Sequence, residues 1–205
     1  PGAGDRPGLG DALAFLHRPM SLGGPDADAV EEAAIAALTR AGVGHLVYNT
    51  GMAVPDAPVG HPMIDARVAA IQRLLDDDAT VLVPTGYMEN FSAAWSAPLV
   101  AAGELVYPRP ADDRVAWLTN DDVGAATAAA LDRGASAQGT LLRLAGPEAL
   151  TFPEVADRLG RALGRDVRFR SISGAEYGEV VGRVLGPQAG AMIGAAYDAM
   201  PTGPN

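Results

Sequence analysis

The stretch VLVPTGYMENF, residues 81–91, gathers reactive groups at the end of an apolar run. Val81-Leu82-Val83 reads as a buried strand, and Pro84-Thr85-Gly86 ends it abruptly. A phenol, a thioether, a carboxylate, an amide and a second aromatic follow at once, in Tyr87, Met88, Glu89, Asn90 and Phe91. A strand exit of that kind suits a ligand pocket: Pro84 and Gly86 admit a flat ring close to the backbone, and Tyr87 is available as an acid or base. The plainer alternative is a Pro/Gly exit whose Tyr87 and Phe91 join the core. His61 is a second candidate general acid, because imidazole titrates near neutrality. Asp65 lies four residues on and could pair with the imidazolium as it forms. The alternative there is a helix that starts at Pro62, with His61 a solvated loop residue.

These groups need elements that bring them together. Asp11 to His17 reads as a strand, Asp26 to Ala41 as a helix, His45 to Asn49 as a strand, Pro62 to Asp76 as a helix and Thr80 to Pro84 as a strand. The first helix has acidic residues in its opening turns and Arg40 in its last, which suits the macrodipole, and Gly42 is a good terminator. Ile64, Val68, Ile71 and Leu75 form one stripe of the second. Strands that are short and continuously apolar predict a parallel sheet covered on both faces, joined by right-handed crossovers. Parallel strands put their carboxyl ends on one edge. Thr50, His61, Pro84, Thr85, Gly86 and Tyr87 should therefore converge there, with His17 and Arg18 at the same edge. Arg18 could meet a phosphate or carboxylate; a surface ion pair explains it as well.

The second half mixes short elements. ENFSAAWSAPLVAAG looks helical but is interrupted at Pro98, and ELVYPRP and RVAWLT, joined by ADD, make a plausible hairpin. Thr119 with Asp122 resembles a capping box for a helix Asp121 to Leu131. TLLRLAG reads as a strand, Thr151 with Glu154 caps a helix closing at Gly164, VRFRSI reads as a strand, and Ser173 caps a final helical region. Trp95, Tyr107 and Trp117 suit either an apolar pocket or the core. Asp112-Asp113 and Asp121-Asp122 read as a turn and a helix cap rather than a metal site.

Composition narrows the function classes. The chain has 205 residues, 48% of them apolar but only 5% aromatic, so its core is largely small aliphatics. A formal charge of −10 disfavours nucleic acid and anionic membranes as partners. The absence of cysteine removes disulfides, thiol nucleophiles and cysteine-ligated metals, and the cytoplasm is the expected location. No apolar run approaches the ~20 residues that span a bilayer.

The segments DALAFLHRP, AGVGHLVYNT, TVLVPTGYMEN, VAWLTNDDVGAATAAAL and GPEALTFPEVADRLGRALGRDV, in that order, resemble the NmrA-like group of atypical short-chain dehydrogenase/reductases. The resemblance covers nearly the whole chain. It implies an α/β fold with a Rossmann-like parallel sheet, apparently truncated at its N-terminus, and a small C-terminal α+β substrate lobe, divided at residues 1–85 and 86–205. It implies NAD or NADP as cofactor and hydride transfer to a small apolar carbonyl, enone or quinone. Leu16, His17, Arg18, Thr50, Gly51, Pro84, Thr85 and Gly86 would border the cofactor. Reductases of the wider superfamily use a Tyr and a Lys one helical turn apart; His61 and Asp65 stand at those places here, beside Thr50 and Tyr87 as further catalytic candidates. Thr50 falls where the superfamily often has a Ser that bonds the substrate carbonyl, although Asn49-Thr50-Gly51 reads equally as a turn. The family's glycine-rich phosphate turn is not apparent, so these 205 residues, if complete, should bind NAD(P)H weakly. A sheet lacking its first units should pair with a second copy or a complementing chain. The alternatives to a reductase are a cofactor-free isomerase or cyclase built on the same cleft, and a non-catalytic ligand sensor.

Overall fold

The computed structural model describes residues 12–17 and 25–202, with only the backbone of 25–28. The first half alternates as its hydrophobic pattern requires: β1 (Leu13–His17), α1 (Pro25–Ala41), β2 (His45–Asn49), α2 (Pro62–Asp76) and β3 (Thr80–Pro84). Every residue of β2 and β3 is buried. Leu46, Tyr48, Val81 and Val83 pack under Ile35 of α1 and Ile71 and Leu74 of α2, while Val47 and Leu82 point to the opposite face. That two-sided burial is why these strands are continuous apolar runs.

β1 departs from the expectation. Leu13 is 57% and Phe15 47% exposed, so one face of this strand is open among the described residues. Among the described residues it pairs with β2 alone, in parallel, His17 standing opposite Asn49. The sheet is edged by β1 and covered on both faces only from β2 onward.

The second half holds a 3-10 turn at Met88–Phe91, then α3 (Ala97–Ala101), β4 (Glu104–Tyr107), β5 (Arg114–Ala116), α4 (Asn120–Arg133), β6 (Leu141–Leu144), β7 (Ala149–Thr151), α5 (Phe152–Leu163), β8 (Arg168–Ser171), α6 (Gly174–Leu185) and α7 (Pro187–Ala199). β6 returns to the sheet beside β3, giving the parallel order β1-β2-β3-β6. On the second face of that sheet, Ala130 and Leu131 of α4 meet Val47, Leu82 and Leu142. Capping boxes at Thr119/Asp122, Thr151/Glu154 and Ser173/Glu176 start α4, α5 and α6, each closing two orphan amides with one side-chain pair.

The expected hairpin does not form. β4 pairs in parallel with β8, and β5 pairs antiparallel with β7. Pro108 and Pro110 between β4 and β5 offer no amide to a hairpin ladder. Arg109 and Asp113 instead close that connection as a buried ion pair at 2.7 Å. The lobe's core is aromatic: Phe91, Tyr107, Trp117, Phe152 and Tyr177 are all at most 6% exposed, with Phe91 and Trp117 rings 4.6 Å apart edge to face. Such pairs add about 0.5–1.5 kcal/mol beyond their buried area, so few aromatics suffice.

Candidate active site

A pocket with a cavity volume of about 140 Å³, partly open to solvent, lies where the carboxyl ends of β2 and β3 meet the lobe. Gly51 and Met52 after β2, Met63 and Arg67 of α2, and Thr85, Gly86 and Tyr87 after β3 form the sheet side. The lobe supplies Tyr107, Trp117, Phe152, Tyr177 and, from α7, Met192, Ile193 and Tyr197. Both tryptophans and four of the five tyrosines of the chain line this one cavity. Among the described residues its titratable groups are therefore these phenols and the arginines 67 and 109. No lysine is available anywhere, because all 15 basic residues are arginine.

The arginines are structural. Arg109 Nη2 faces Asp113, and its Nη1 donates to the carbonyl of Pro201 at 2.8 Å, tying the end of α7 to the β4–β5 connection. Breaking one partner of such a buried pair costs about 3–5 kcal/mol. Arg67 donates to the Met63 carbonyl at 3.1 Å. Burial, then the neighbouring Tyr197, holds the Tyr107 phenol well above its usual range. Burial, then Tyr177, does the same for Tyr197. Burial also leads for Tyr177, followed by Tyr107. Tyr107 and Tyr197 hydroxyls share a hydrogen bond of 2.6 Å.

Tyr87 differs from these three. Burial raises its pKa, a hydrogen bond from Asn49 opposes the rise, and Glu89 adds to it. Asn49, 2% exposed at the end of β2, is a hub. Its Nδ2 donates to Tyr87 Oη at 3.1 Å and faces His17 Nδ1 at 3.1 Å, and its Oδ1 accepts the Gly51 amide at 3.0 Å. Partial burial lowers the His17 pKa.

The sequence candidates fall into three sets. Tyr87, Thr85, Gly86 and Gly51 line the pocket together. Pro84 ends β3 beneath it, fully in the core, and Leu16 packs half-buried against the sheet core. The flat ring that meets Gly86 is the chain's own Trp117: a Cβ there would lie 2.9 Å from its Cζ3. Thr85 spends its hydroxyl on the Ala116 carbonyl at 2.5 Å. Thr50, His61 and Asp65 do not line the pocket. Thr50 is wholly buried and its hydroxyl is used by the Met52 and Leu82 carbonyls. His61 is the residue preceding α2, with Nδ1 buried. Asp65 does not pair with it: its two oxygens accept the Val59 and Gly60 amides at 2.7 and 3.1 Å, because the tight loop into α2 leaves those amides unsatisfied. Arg18 lies outside the described residues. Asp113 and Asp122 serve an ion pair and a cap, and among the described residues no three His, Cys, Asp or Glu side chains cluster to hold a metal.

Asn49, Phe152, Tyr177 and Tyr197 are among the residues that sequence reasoning passes over. Asn49 carries a detectable signal, an amide ending an otherwise apolar strand. Tyr197 carries none, since only the fold of α7 onto β4 brings it to the pocket.

The family profile of the NmrA-like family matches residues 29–192. A (4-alkanoyl-5-oxo-2,5-dihydrofuran-3-yl)methyl phosphate reductase from Streptomyces griseus is 31% identical over 82% of this chain and 60% of its own length. An NAD(P)H azoreductase from Xenophilus azovorans is 30% identical over 73% of this chain and 51% of its own. The crystal structure of an NADPH-dependent quinone oxidoreductase from Escherichia coli, in complex with NADPH, superposes with a TM-score of 0.67 at 22% identity, covering 91% of this chain and 66% of that one. The chain thus spans about half to two thirds of the length of these proteins. A family match over most of its length, on a parallel sheet with a pocket at its carboxyl edge, makes this chain a member of the NmrA-like family.

Proposed function

We propose that the chain is the catalytic part of an NAD(P)H-dependent reductase that delivers hydride to a small, flat carbonyl, enone or quinone. The observation that carries this reading is the aromatic pocket at the carboxyl edge of the sheet, lined among the described residues by four phenols. The reductase names of the relatives and the NADPH held by the compared structure support it. A reduced nicotinamide would supply the hydride. The described residues fit that end of a dinucleotide: a cavity edged by Gly51 and Thr85 and walled by apolar side chains suits a planar ring. They hold no glycine-rich strand-to-helix turn for the pyrophosphate. Tyr87 would hand the proton to the substrate oxygen, while Trp117, Phe152 and Tyr177 stack on its plane.

With millimolar NADPH and a naphthoquinone, cyclohexenone or benzaldehyde, we expect the reduced-nicotinamide absorbance to decay only when acceptor is present. Acceptor-independent decay, or none with any acceptor, defeats the reading and favours the cofactor-free alternatives. The described residues supply no pyrophosphate cradle, so weak affinity is the expected outcome of an NADPH titration by calorimetry, and a micromolar Kd would overturn it.

The open face of β1 supports association. Among the described residues Leu13 and Phe15 stand exposed on a strand paired on one side only, the kind of edge that proteins seldom leave bare. A dimer, or a complex with a complementing chain, is the expected state; light scattering on a size-exclusion column should give a mass above one chain, and a clean monomer at high concentration counts against it.

A further inference from the structure

We propose that Asn49 is a positioning residue that turns the phenolic proton of Tyr87 into the pocket. The proposal rests on the reductase reading for its effect on turnover, but its geometry stands alone. The backbone decides which way the Asn49 amide points. The Gly51 N–H donates to one end at 3.0 Å, so that end is the oxygen. The NH2 group then has two hydrogens and two acceptors, Tyr87 Oη and His17 Nδ1, each at 3.1 Å. A buried amide with all its bonds made in this way is locked.

Two consequences follow for its neighbours. Tyr87 Oη already receives a hydrogen from Asn49, so its own hydrogen must leave in another direction. The Asn49 oxygen is 3.5 Å away and engaged by Gly51, which makes it a poor acceptor for that hydrogen. The remaining direction is the cavity that Tyr87 lines. His17 must present a lone pair at Nδ1, which places its proton on Nε2 while it is neutral. In the sequence, the three partners end β1, end β2 and follow β3, and the parallel register His17 to Asn49 sets them side by side.

On the reductase reading a reduced nicotinamide would supply hydride to the substrate carbonyl carbon, and the C=O π pair would move to oxygen. That oxygen takes the proton as the O–H bond of Tyr87 breaks, and the phenolate regains a proton from water. The Asn49 N–H, aimed at Oη beforehand, stabilises the phenolate as it forms without reorganising.

Asn49→Asp tests this, because it keeps the shape and replaces the donor with an acceptor that draws the Tyr87 proton out of the pocket. It should lower kcat at least about tenfold with KM within about twofold, and cost nothing further in a Tyr87→Phe background. An independent readout is the ionisation of Tyr87, taken as the difference in alkaline ultraviolet titration between each protein and its Tyr87→Phe counterpart. That step should move to higher pH in Asn49→Asp. If Asn49→Asp does not fold, Asn49→Ala replaces it, with the same dependence on Tyr87 expected. An equal loss in both Tyr87 backgrounds, or an unmoved ionisation step, overturns the proposal. A parent without turnover sinks the reductase reading instead, and the titration still decides the role of Asn49.

Discussion

Replacing Tyr87 by phenylalanine should lower kcat about 10²–10³-fold while leaving the melting temperature close to that of the parent. The hydroxyl that is lost makes one hydrogen bond with Asn49, and the ring that remains keeps the pocket wall. His61→Asn is the matched control. Its imidazole lines no part of the pocket and its neighbour Asp65 is committed to backbone amides, so kcat should stay within about threefold. The pH profile is a second check on Tyr87. Burial, only partly opposed by the Asn49 hydrogen bond, holds the Tyr87 pKa above its ordinary value of 10. The acid must be protonated to act, so the rate should stay level from neutral into mildly alkaline solution and fall only as the phenol ionises. A loss of rate in His61→Asn as large as that in Tyr87→Phe would transfer the role to His61.

The half of the chain that is regular was the legible half. β2, α2 and β3 fall on His45–Asn49, Pro62–Asp76 and Thr80–Pro84 as their apolar patterning predicts. All three capping boxes begin helices, because the Ser/Thr-to-carboxylate spacing acts locally and needs no tertiary partner. Convergence at the carboxyl edge was legible for Thr85, Gly86 and Tyr87 and illegible for Thr50 and His61. The reason is direction rather than position: a residue can end a strand and still point into the core, as Thr50 does. The lobe was hard to read because its strands are three or four residues long and pair across the chain, β4 with β8 and β5 with β7. Local alternation cannot distinguish such pairings from a hairpin. The tyrosines of the pocket wall share this difficulty, since Tyr107 and Tyr197 stand 90 residues apart and meet at one hydrogen bond.

The wall that carries Tyr197 depends on glycines, and Gly194→Val should remove it. Taken singly, Gly174, Gly178, Gly190 and Gly194 argue against helix, at about 0.5–1 kcal/mol each relative to alanine. Spaced by four, they put bare backbone on one stripe of α6 and one of α7, and the helices touch there. A Cβ on Gly194 would lie 2.2 Å from the Gly174 carbonyl oxygen, and one on Gly190 the same distance from the Gly178 oxygen. Neither obstacle is a side chain that can swing away, so a valine must push the helices apart. Overpacking of this kind costs about 3 kcal/mol or more. At roughly 2–4 °C per kcal/mol for a chain of this size, the melting temperature should fall by about 10 °C. Met192, Ile193 and Tyr197 lie on the displaced helix, so substrate KM should rise even where the fold survives. Gly182→Ala is the contrast within the same interface. Its added Cβ would sit 3.4 Å from Pro187 Cα, ordinary contact, so the gain in helix propensity should leave stability unchanged or about 0.5–1 kcal/mol higher. Thermal melts of both variants decide the matter: if Gly194→Val melts with the parent, the helices do not meet through their glycines, and the pocket has lost that wall.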